Sequence, residues 1–180
     1  MEKKFELTDK FVFNTFGIKL FQIKCTKSFK YAKEGDLGGY VEKDENLDQE
    51  SDAWVSGNAR VSGDAWVSGD AQVSGNAQVY GDARVSGNAW VSGDAWVYGN
   101  ADIENDNNHC GFDCFGSCNR HTHAYLTKDN KVEITCGCFR GSIEEFEKKV
   151  EKTHSGTIYE KQYKAIINVI KIKFGLNDLI

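Results

Sequence analysis

The chain has 180 residues, a formal net charge of -5 and 27% charged residues. This charge balance argues against a nucleic-acid duplex or an acidic membrane as the partner, because both attract basic surfaces. The sequence shows neither a signal peptide nor an apolar run long enough for a membrane span, so we expect a soluble, cytoplasmic protein. Its 6 cysteines are then expected to be reduced or metal-bound.

Residues 1–46 are predicted to form an N-terminal β cap. Segments 4–8 and 19–25 alternate in polarity as half-buried strands do, and turn residues lie between them at 14–17. We expect this cap to cover the open end of the element that follows, because the end of a stacked-strand element exposes unpaired backbone groups.

Residues 47–108 are dominated by a six-residue repeat. The unit Ala-x-Val-x-Gly-(Asn/Asp) recurs nine times from Ala53, and the last copy is degenerate. Strict alternation places Ala and Val on one side and the x residues on the other, while Gly-Asn or Gly-Asp turns the chain. Identical strands joined by such turns do not suit a hairpin ladder. They favour parallel strands, three per coil, stacked into a triangular solenoid with Val and Ala inside.

The repeat resembles the hexapeptide repeats of left-handed β-helix proteins, and this resemblance implies the handedness. Two further segments share in the resemblance, the entry segment 35–42 with Asn46 and Leu47, and the tail segment 136–146 with Thr153 and His154. Together with the repeat they make nearly the whole chain similar to a family of phage- and prophage-encoded hexapeptide-repeat proteins, usually without an assigned function. Accessory phage proteins of this size often counter host defence, and some sequester nucleotide signals. The resemblance therefore implies a counter-defence role in the cytoplasm of the infected bacterial host.

The outward positions of the repeat carry an unusual set of aromatic residues. With three repeat units per coil they form columns that contain Trp54, Trp66, Trp90 and Trp96, together with Tyr80 and Tyr98 on adjacent coils, which are predicted to stack. Exposed aromatic patches mark interfaces. Three interpretations remain open: packing beneath the terminal modules, a subunit interface, or a ligand platform. The habit of the fold family favours a homo-oligomer, a trimer first.

Residues 109–180 are predicted to form a C-terminal ββαα module. A hairpin is expected at 124–136, and Ser142 and Thr157 each begin a capping-box pattern for a helix. The predicted buried helix positions are Ile143, Phe146 and Val150 in the first helix and Tyr163, Ile166, Ile167 and Ile170 in the second, with Gly175 as the stop.

This module also carries the residues that suit an anionic ligand. Arginine holds phosphate bidentately, and hydroxyls and backbone N–H groups add donors. On a strand, His121, His123 and Tyr125 would share one face. The predicted ligand-binding residues are Ser117, Asn119, Arg120, His121, Thr122, His123, Tyr125, Arg140 and His154. The alternative is a polar hairpin face with surface histidines.

Five cysteines of the same module leave a metal as a second alternative. Cys110, Cys114 and Cys118 are evenly spaced, and Cys136 and Cys138 follow beyond the hairpin. Structural zinc uses closely spaced Cys pairs, so zinc is admissible, although the second pair is atypical. Otherwise these are small buried thiols in a reducing cell, and no cofactor is needed.

These patterns favour a non-enzymatic protein that binds a small nucleotide-type signal. One alternative is a structural or protein-interaction module that uses the outward Trp faces. Another is an acyltransferase, the best-known activity on left-handed β-helices, which uses a histidine from a coil as general base. The sequence has no histidine before His109, which lies just after the last repeat, so His109 is the only candidate base.

Overall fold

The computed structural model describes residues 3–176, and the fold is the predicted mainly-β solenoid with strands before it and two helices after it. The chain divides into two compact units, Met1–Asp106 and Asn107–Ile180. Both outer domains of the predicted three-part division extend beyond the described residues, to positions 1–2 and 177–180. No helix among residues 3–176 is long and apolar enough to span a membrane.

The elements of the first unit are three antiparallel strands of five to nine residues, followed by a series of two-residue strands. They are β1 (Phe5–Phe13), β2 (Lys19–Cys25), β3 (Leu37–Val41), β4 (Trp54–Val55), β5 (Arg60–Val61), β6 (Trp66–Val67), β7 (Gln72–Val73), β8 (Gln78–Val79), β9 (Arg84–Val85), β10 (Trp90–Val91), β11 (Trp96–Val97) and β12 (Asp102–Ile103). Short 3-10 turns occupy Asp44–Asn46 and, where the two units join, Asp106–Asn108.

The short strands stack as three parallel sheets, one on each side of the solenoid. The orders are β3-β5-β8-β11, β4-β7-β10 and β6-β9-β12, with β1 and β2 continuing the first sheet beyond β3. Each of the strands β4 to β9 pairs with the strand that lies three repeat units later in the sequence, as Trp54 does with Gln72. The valines of the first eight repeat units and Ile103 of the ninth are buried, so they form the core that the alternation predicted.

The solenoid has one more partial coil than the repeats alone predict. Val41 pairs with Val61, and an isolated bridge joins Leu47 to Val67. The partners in both pairs are further apart in the sequence than Trp54 and Gln72 are, because the first coil is longer than a repeat coil. This offset hides the first coil from a search for the six-residue period.

The glycine corners are needed for two reasons, which Gly75 illustrates. Its φ is +69°, a conformation that residues with a Cβ rarely adopt. A Cβ there would also lie 2.9 Å from the backbone nitrogen of Gly93 in the next coil. The close approach of the next coil therefore leaves no room for a side chain at Gly75.

Backbone groups at both ends of the solenoid are bonded by residues outside the regular repeat units. The main chain of β3 donates to the first full coil, since the Tyr40 N–H binds the Ala59 carbonyl at 2.9 Å. The side-chain amide of Asn46 donates to the carbonyl oxygens of Gly63 and Ala65 at 3.0 and 2.8 Å. At the other end, Asp106 Oδ1 accepts from the Trp90 N–H at 2.8 Å. The expected covering of the first end is thus visible in these bonds.

The second unit is a four-stranded antiparallel sheet with two helices on one face. Its elements are β13 (His109–Phe115), β14 (Arg120–Leu126), β15 (Val132–Cys136), β16 (Phe139–Ser142), α1 (Ile143–His154) and α2 (Ile158–Lys173). The two strands of the predicted hairpin are therefore flanked by two further strands, in the order β13-β14-β15-β16.

Both helices begin where the sequence predicted. The Ser142 side chain accepts from the Glu145 N–H, and the Glu145 carboxylate accepts from the Ser142 N–H at 2.8 Å, which is a complete capping box. At α2 the Glu160 carboxylate instead takes the N–H of Gly156, one residue earlier than the box requires. The predicted apolar positions of both helices are buried against Ala124 and Ile134 of the sheet.

Candidate functional site

The candidate site is a cavity of about 220 Å³ between the sheet and helices of the second unit, here called the sheet–helix cavity. It is bounded by two strand turns of the sheet and by one face of α1 together with Tyr163 of α2. Its lining residues are Ser117, Cys118, Arg120, Cys136, Cys138, Phe139, Phe146, Lys149, Val150, Thr153, His154 and Tyr163.

The turns of the sheet bring Arg120 to the cavity. The turn between β13 and β14 and the turn between β15 and β16 lie at the same end of the sheet, because neighbouring strands run antiparallel. The guanidinium of Arg120 lies against Gly137, where an added Cβ would clash with it. Gly137 has φ of +58°, so the turn itself also favours glycine. The β15–β16 turn thus leaves room for the arginine side chain.

Helix α1 supplies the other two basic residues of the cavity, Lys149 and His154. Lys149 and Thr153 are four residues apart and therefore lie on the same side of the helix, next to the apolar pair Phe146 and Val150. His154 ends the helix, and its ring centroid lies 5.5 Å from that of Tyr163. The cavity therefore combines three basic side chains with aromatic walls.

Tyr163 of α2 lines the cavity with its ring and hydroxyl. Its hydroxyl lies 3.8 Å from the Cys136 sulfur and directly against Gly116, whose N–H donates to the neighbouring Gln162 side chain at 3.0 Å. Burial, reinforced by Cys136, raises the pKa of Tyr163 to about 12, so its hydroxyl stays protonated at neutral pH. It is therefore a hydrogen-bond donor in the cavity.

The cavity suits an anion. Among the described residues that line it, Arg120, Lys149 and His154 are basic and none is acidic. This contrasts with the chain as a whole, which carries a formal net charge of -5. A local cluster of donors and cations in a partly enclosed site attracts phosphate or carboxylate groups.

Strand alternation divides the predicted ligand residues between the two faces of the sheet. Ser117, Arg120 and His154 line the sheet–helix cavity as predicted, and Thr122 is buried on the same side, where it donates to Cys136 at 3.3 Å. Asn119 is exposed in the turn with φ of +48°. The others, His121, His123, Tyr125 and Arg140, lie on the opposite face.

On that opposite face the groups are engaged with one another. His121 Nδ1 lies 2.5 Å from Asp113, and His109 Nδ1 lies 3.0 Å from His123 Nε2. The shared face of His121, His123 and Tyr125 is thus confirmed by their ring contacts. The predicted grouping of these three residues with Arg120 in one site is wrong, because alternate residues of one strand point to opposite sides of the sheet.

Arg140 also lies away from the cavity, on the opposite face of the sheet. Its guanidinium binds the Glu133 carboxylate through Nε and, at 3.0 Å, through Nη2. The same carboxylate accepts from the Tyr125 hydroxyl at 2.8 Å. The carboxylate offsets the positive charge of the arginine and occupies two of its donors, so this arginine attracts a second anion only weakly.

Three of the five candidate metal-ligating cysteines line the cavity, namely Cys118, Cys136 and Cys138. Cys110 packs on the helix-facing core, where burial raises the pKa of its thiol to about 11, and Cys114 is exposed. Among residues 3–176, no group of three or more His, Cys, Asp or Glu side chains is placed to hold a metal ion.

The outward aromatic residues of the solenoid differ in exposure. Trp66 and Trp90 are 42% and 56% exposed, whereas Trp54 is only 5% exposed and packs edge-on against Phe29 with ring centroids 5.4 Å apart. Trp96 is intermediate. Tyr80 and Tyr98 stack at 4.7 Å, as predicted. Trp54 is therefore removed from the predicted interface set, since the segment after β2 covers it.

A second cavity, of about 720 Å³, lies in the first unit. It is lined by Lys3, Lys4 and Lys27, but also by Glu50 and Asp52. Lys4 donates to backbone carbonyls and Lys3 pairs with Asp44. This cavity suits an anion less well than the sheet–helix cavity does, because acidic residues line it and because Lys3 and Lys4 already bind other groups of the protein.

Sequence reasoning missed Lys149, Phe139, Phe146 and Tyr163 as cavity residues. The available signals were the four-residue spacing of Lys149 and Thr153 and a hydroxyl on a predicted buried position, Tyr163. Neither signal points to a cavity until the packing of α1 and α2 on the sheet is known.

The comparisons with known proteins concern the repeat. Residues 53–69 and 77–93 match the family described as YdcK Beta solenoid repeat. The protein is a β-solenoid repeat protein. The matched residues span β4–β6 and β8–β10, so the match covers part of the solenoid and neither the strands before it nor the second unit. No curated protein matches the chain.

Proposed function

We propose that this β-solenoid protein is a non-enzymatic binding protein that holds a small anionic ligand of nucleotide type in the sheet–helix cavity. The observation that supports this function is the grouping of Arg120, Lys149 and His154 around one cavity whose described lining includes no carboxylate. Arginine supplies a planar fork for a phosphate, and lysine adds a point charge.

The remaining lining residues fit a ring attached to that anion. Phe139 and Phe146 pack with ring centroids 5.0 Å apart, and Tyr163 packs edge-on against Phe146. The cavity volume of about 220 Å³ is below the roughly 300–1,000 Å³ that encloses a drug-sized ligand. We therefore propose that a phosphate and one adjoining ring are held inside, while the rest of the ligand projects outward.

The biological role that we propose is phage counter-defence by sequestration of a nucleotide-type immune signal in the cytoplasm of the infected bacterial host. It is supported by the resemblance of the repeat and its flanking segments to phage-encoded proteins, and by a cavity that suits binding. Sequestration predicts that the ligand is retained and released chemically unchanged.

The test is calorimetric titration of the full chain with AMP, a cyclic dinucleotide and ADP-ribose. We expect at least one to bind, and Arg120→Ala to weaken that binding at least about tenfold, because a charge-assisted bidentate contact is lost. Arg140→Ala is the matched control, since Arg140 lies on the opposite face of the sheet and should leave the affinity unchanged. Equal losses in both variants, or hydrolysis of the bound ligand, would contradict the proposal.

A second candidate function is self-association or partner binding through the solenoid. It is favoured by the exposure of Trp66 and Trp90, because large apolar side chains in contact with water are enriched at interfaces. We propose a homo-oligomer, with a trimer as the first choice. Sedimentation of the wild-type chain and of Trp90→Ala tests it.

A further inference from the structure

We propose that the sheet–helix cavity takes the terminal phosphate of a phosphomonoester together with its sugar, and that the base of a nucleotide stays outside. The protein then selects its ligand by the free phosphate end and accepts any base. This inference rests on the proposed function, because it names the part of the ligand that the same cavity holds and the part that it does not read.

The two permanent cations of the cavity have no counter-ion within the described part of the chain. Neither Arg120 nor Lys149 forms an ion pair there, whereas Lys164 of α2 pairs with Glu160 at 2.8 Å. Arg120 comes from the sheet and Lys149 from α1, so the two charges belong to different walls of one cavity. Unpaired cations around a common space favour an anion bound between them.

The number of positive charges favours a terminal phosphate over a phosphodiester. Arg120 and Lys149 contribute two charges, and His154 adds a third when it is protonated. A phosphomonoester carries about -1.5 to -2 at pH 7, whereas each phosphate of a diester carries a single negative charge. A diester would therefore leave at least one of these cations uncompensated.

The side chains of the cavity suit a phosphate better than a base. Arg120 and Lys149 only donate hydrogen bonds, and the Tyr163 hydroxyl keeps its proton. The described lining includes no Asn, Gln, Asp or Glu, the side chains that read adenine and cytosine edges. Phosphate oxygens only accept, so they match these donors. Because arginine and lysine also bind guanine, GMP is a decisive probe.

The part of the ligand next to the phosphate meets aromatic walls. Phe139 packs on Phe146 with ring centroids 5.0 Å apart, and His154 packs on Tyr163 at 5.5 Å. The ring that adjoins the phosphate of a nucleotide is the ribose, whose carbon face suits an aromatic wall. The volume of about 220 Å³ is below the roughly 300–1,000 Å³ of pockets that enclose a drug-sized ligand. The base is therefore the part that projects outward.

Contacts within the protein hold these donors in place. The Gly116 N–H donates to the Gln162 side chain at 3.0 Å, and the Tyr163 hydroxyl lies against Gly116. Both contacts tie the turn that precedes Arg120 to helix α2. Arg120 lies in turn on Gly137 of the neighbouring turn. Donors that are positioned in advance lower the ordering cost of binding.

The experiment titrates the full chain calorimetrically with ribose 5-phosphate, AMP and GMP. Cyclic AMP and adenosine are the matched ligands that lack a terminal phosphate. We expect ribose 5-phosphate, AMP and GMP to bind within about threefold of one another, and cyclic AMP at least about tenfold more weakly than AMP. Adenosine should not bind, because it offers no anion to the cations.

A pair of variants tests whether the phosphate lies in the cavity. Lys149→Gln should weaken the binding of ribose 5-phosphate at least about tenfold. Lys148→Gln is the matched control, because it removes the same charge from the neighbouring position of α1 but Lys148 does not line the cavity. Equal losses in the two variants overturn the assignment. The thermal unfolding midpoint of each variant checks that it is folded.

Three results overturn the inference and leave the proposed function standing. They are cyclic AMP that binds within about tenfold of AMP, ribose 5-phosphate that binds more than about threefold more weakly than AMP, or a difference above about threefold between AMP and GMP. Ribose 5-phosphate that binds when no nucleotide does refutes the proposed function but confirms the phosphate-and-sugar site. Silence of all five probes overturns the inference, and the cyclic dinucleotide and ADP-ribose titrations then decide the proposed function separately.

Discussion

Lys4 caps the first coil of the solenoid through the carbonyl of Ala53. Its Nζ donates to the Ala53 oxygen at 2.8 Å and to the Ser51 oxygen at 2.7 Å, and Lys4 is 6% exposed. One coil later the equivalent carbonyl, that of Ala71, accepts from the Trp54 N–H at 3.0 Å. Among the described strands β4 is the first of its sheet, so the ammonium group supplies the hydrogen bonds that a preceding strand would donate.

Replacing this lysine should destabilise the first unit. Lys4→Met keeps much of the apolar stem but leaves two carbonyls without their donor, which we expect to lower the free energy of unfolding by about 2 kcal/mol. Urea unfolding followed by circular dichroism measures the change. Lys3→Met is the control, because Lys3 forms an exposed pair with Asp44 and its loss should be nearly neutral. Equal effects of the two substitutions would contradict the capping role.

The pKa of Lys4 predicts that the free energy of unfolding depends on pH. Burial lowers the pKa of Lys4 to about 8, from an ordinary value of 10.5. Between these two values the unfolded chain holds more protons at this site than the folded chain, so the contribution of Lys4 to stability rises with pH across that window and is constant below it. The difference in unfolding free energy between the wild type and Lys4→Met should therefore grow from pH 8 to pH 10. A difference that is flat or shrinking across this range would show that the pKa is not lowered.

The corner glycines allow backbone strain to be separated from steric contact. Gly75 and Gly93 have nearly equal φ of +69° and +68°, but a Cβ at Gly75 meets the next coil, whereas a Cβ at Gly93 meets nothing within 4 Å. We expect Gly93→Ala to cost about 1 kcal/mol from conformation alone and Gly75→Ala at least about 1 kcal/mol more. Chemical unfolding of both variants measures this, and equal costs would mean that the coils separate freely.

Two tryptophans of one column should behave in opposite ways. Trp54→Ala removes a buried ring and should lower stability by roughly 3–5 kcal/mol. Trp90→Ala removes an exposed ring and should change the stability of the monomer by less than about 0.5 kcal/mol, while it weakens self-association. Thermal unfolding and sedimentation velocity separate the two effects. Wild-type chain that sediments as a monomer at all concentrations would rule out the interface.

Gly137 offers a way to move Arg120 without removing its charge. In Gly137→Ala the new Cβ displaces the guanidinium, so binding of the anionic probe should weaken about tenfold although the net charge is unchanged. Gly156→Ala is the matched control, because Gly156 also has positive φ but has open space around its Cα. Calorimetric titration should find normal affinity in the control. Normal affinity in both variants would show that Arg120 does not contact the ligand.

Local patterns were sufficient for much of this fold. Alternation at Val61 and its equivalents predicts the buried core of the solenoid, because neighbours on a strand must face opposite sides. The Ser142 capping box and the apolar spacing after it predict α1, since both depend on residues within one or two turns of helix. The shared face of His121, His123 and Tyr125 also follows from the two-residue period of a strand alone.

Tertiary structure decided the candidate site, because a cavity depends on which faces of distant segments meet. The same two-residue period that unites His121 and His123 places them opposite Arg120, and only the packing of α1 and α2 shows which side of the sheet is covered. The burial of Trp54 beneath Phe29 likewise depends on a contact between segments that are distant in the sequence. The repeat sequence by itself determined the solenoid, since each coil needs only its neighbours. The position of the anion-binding groups required the assembled second unit.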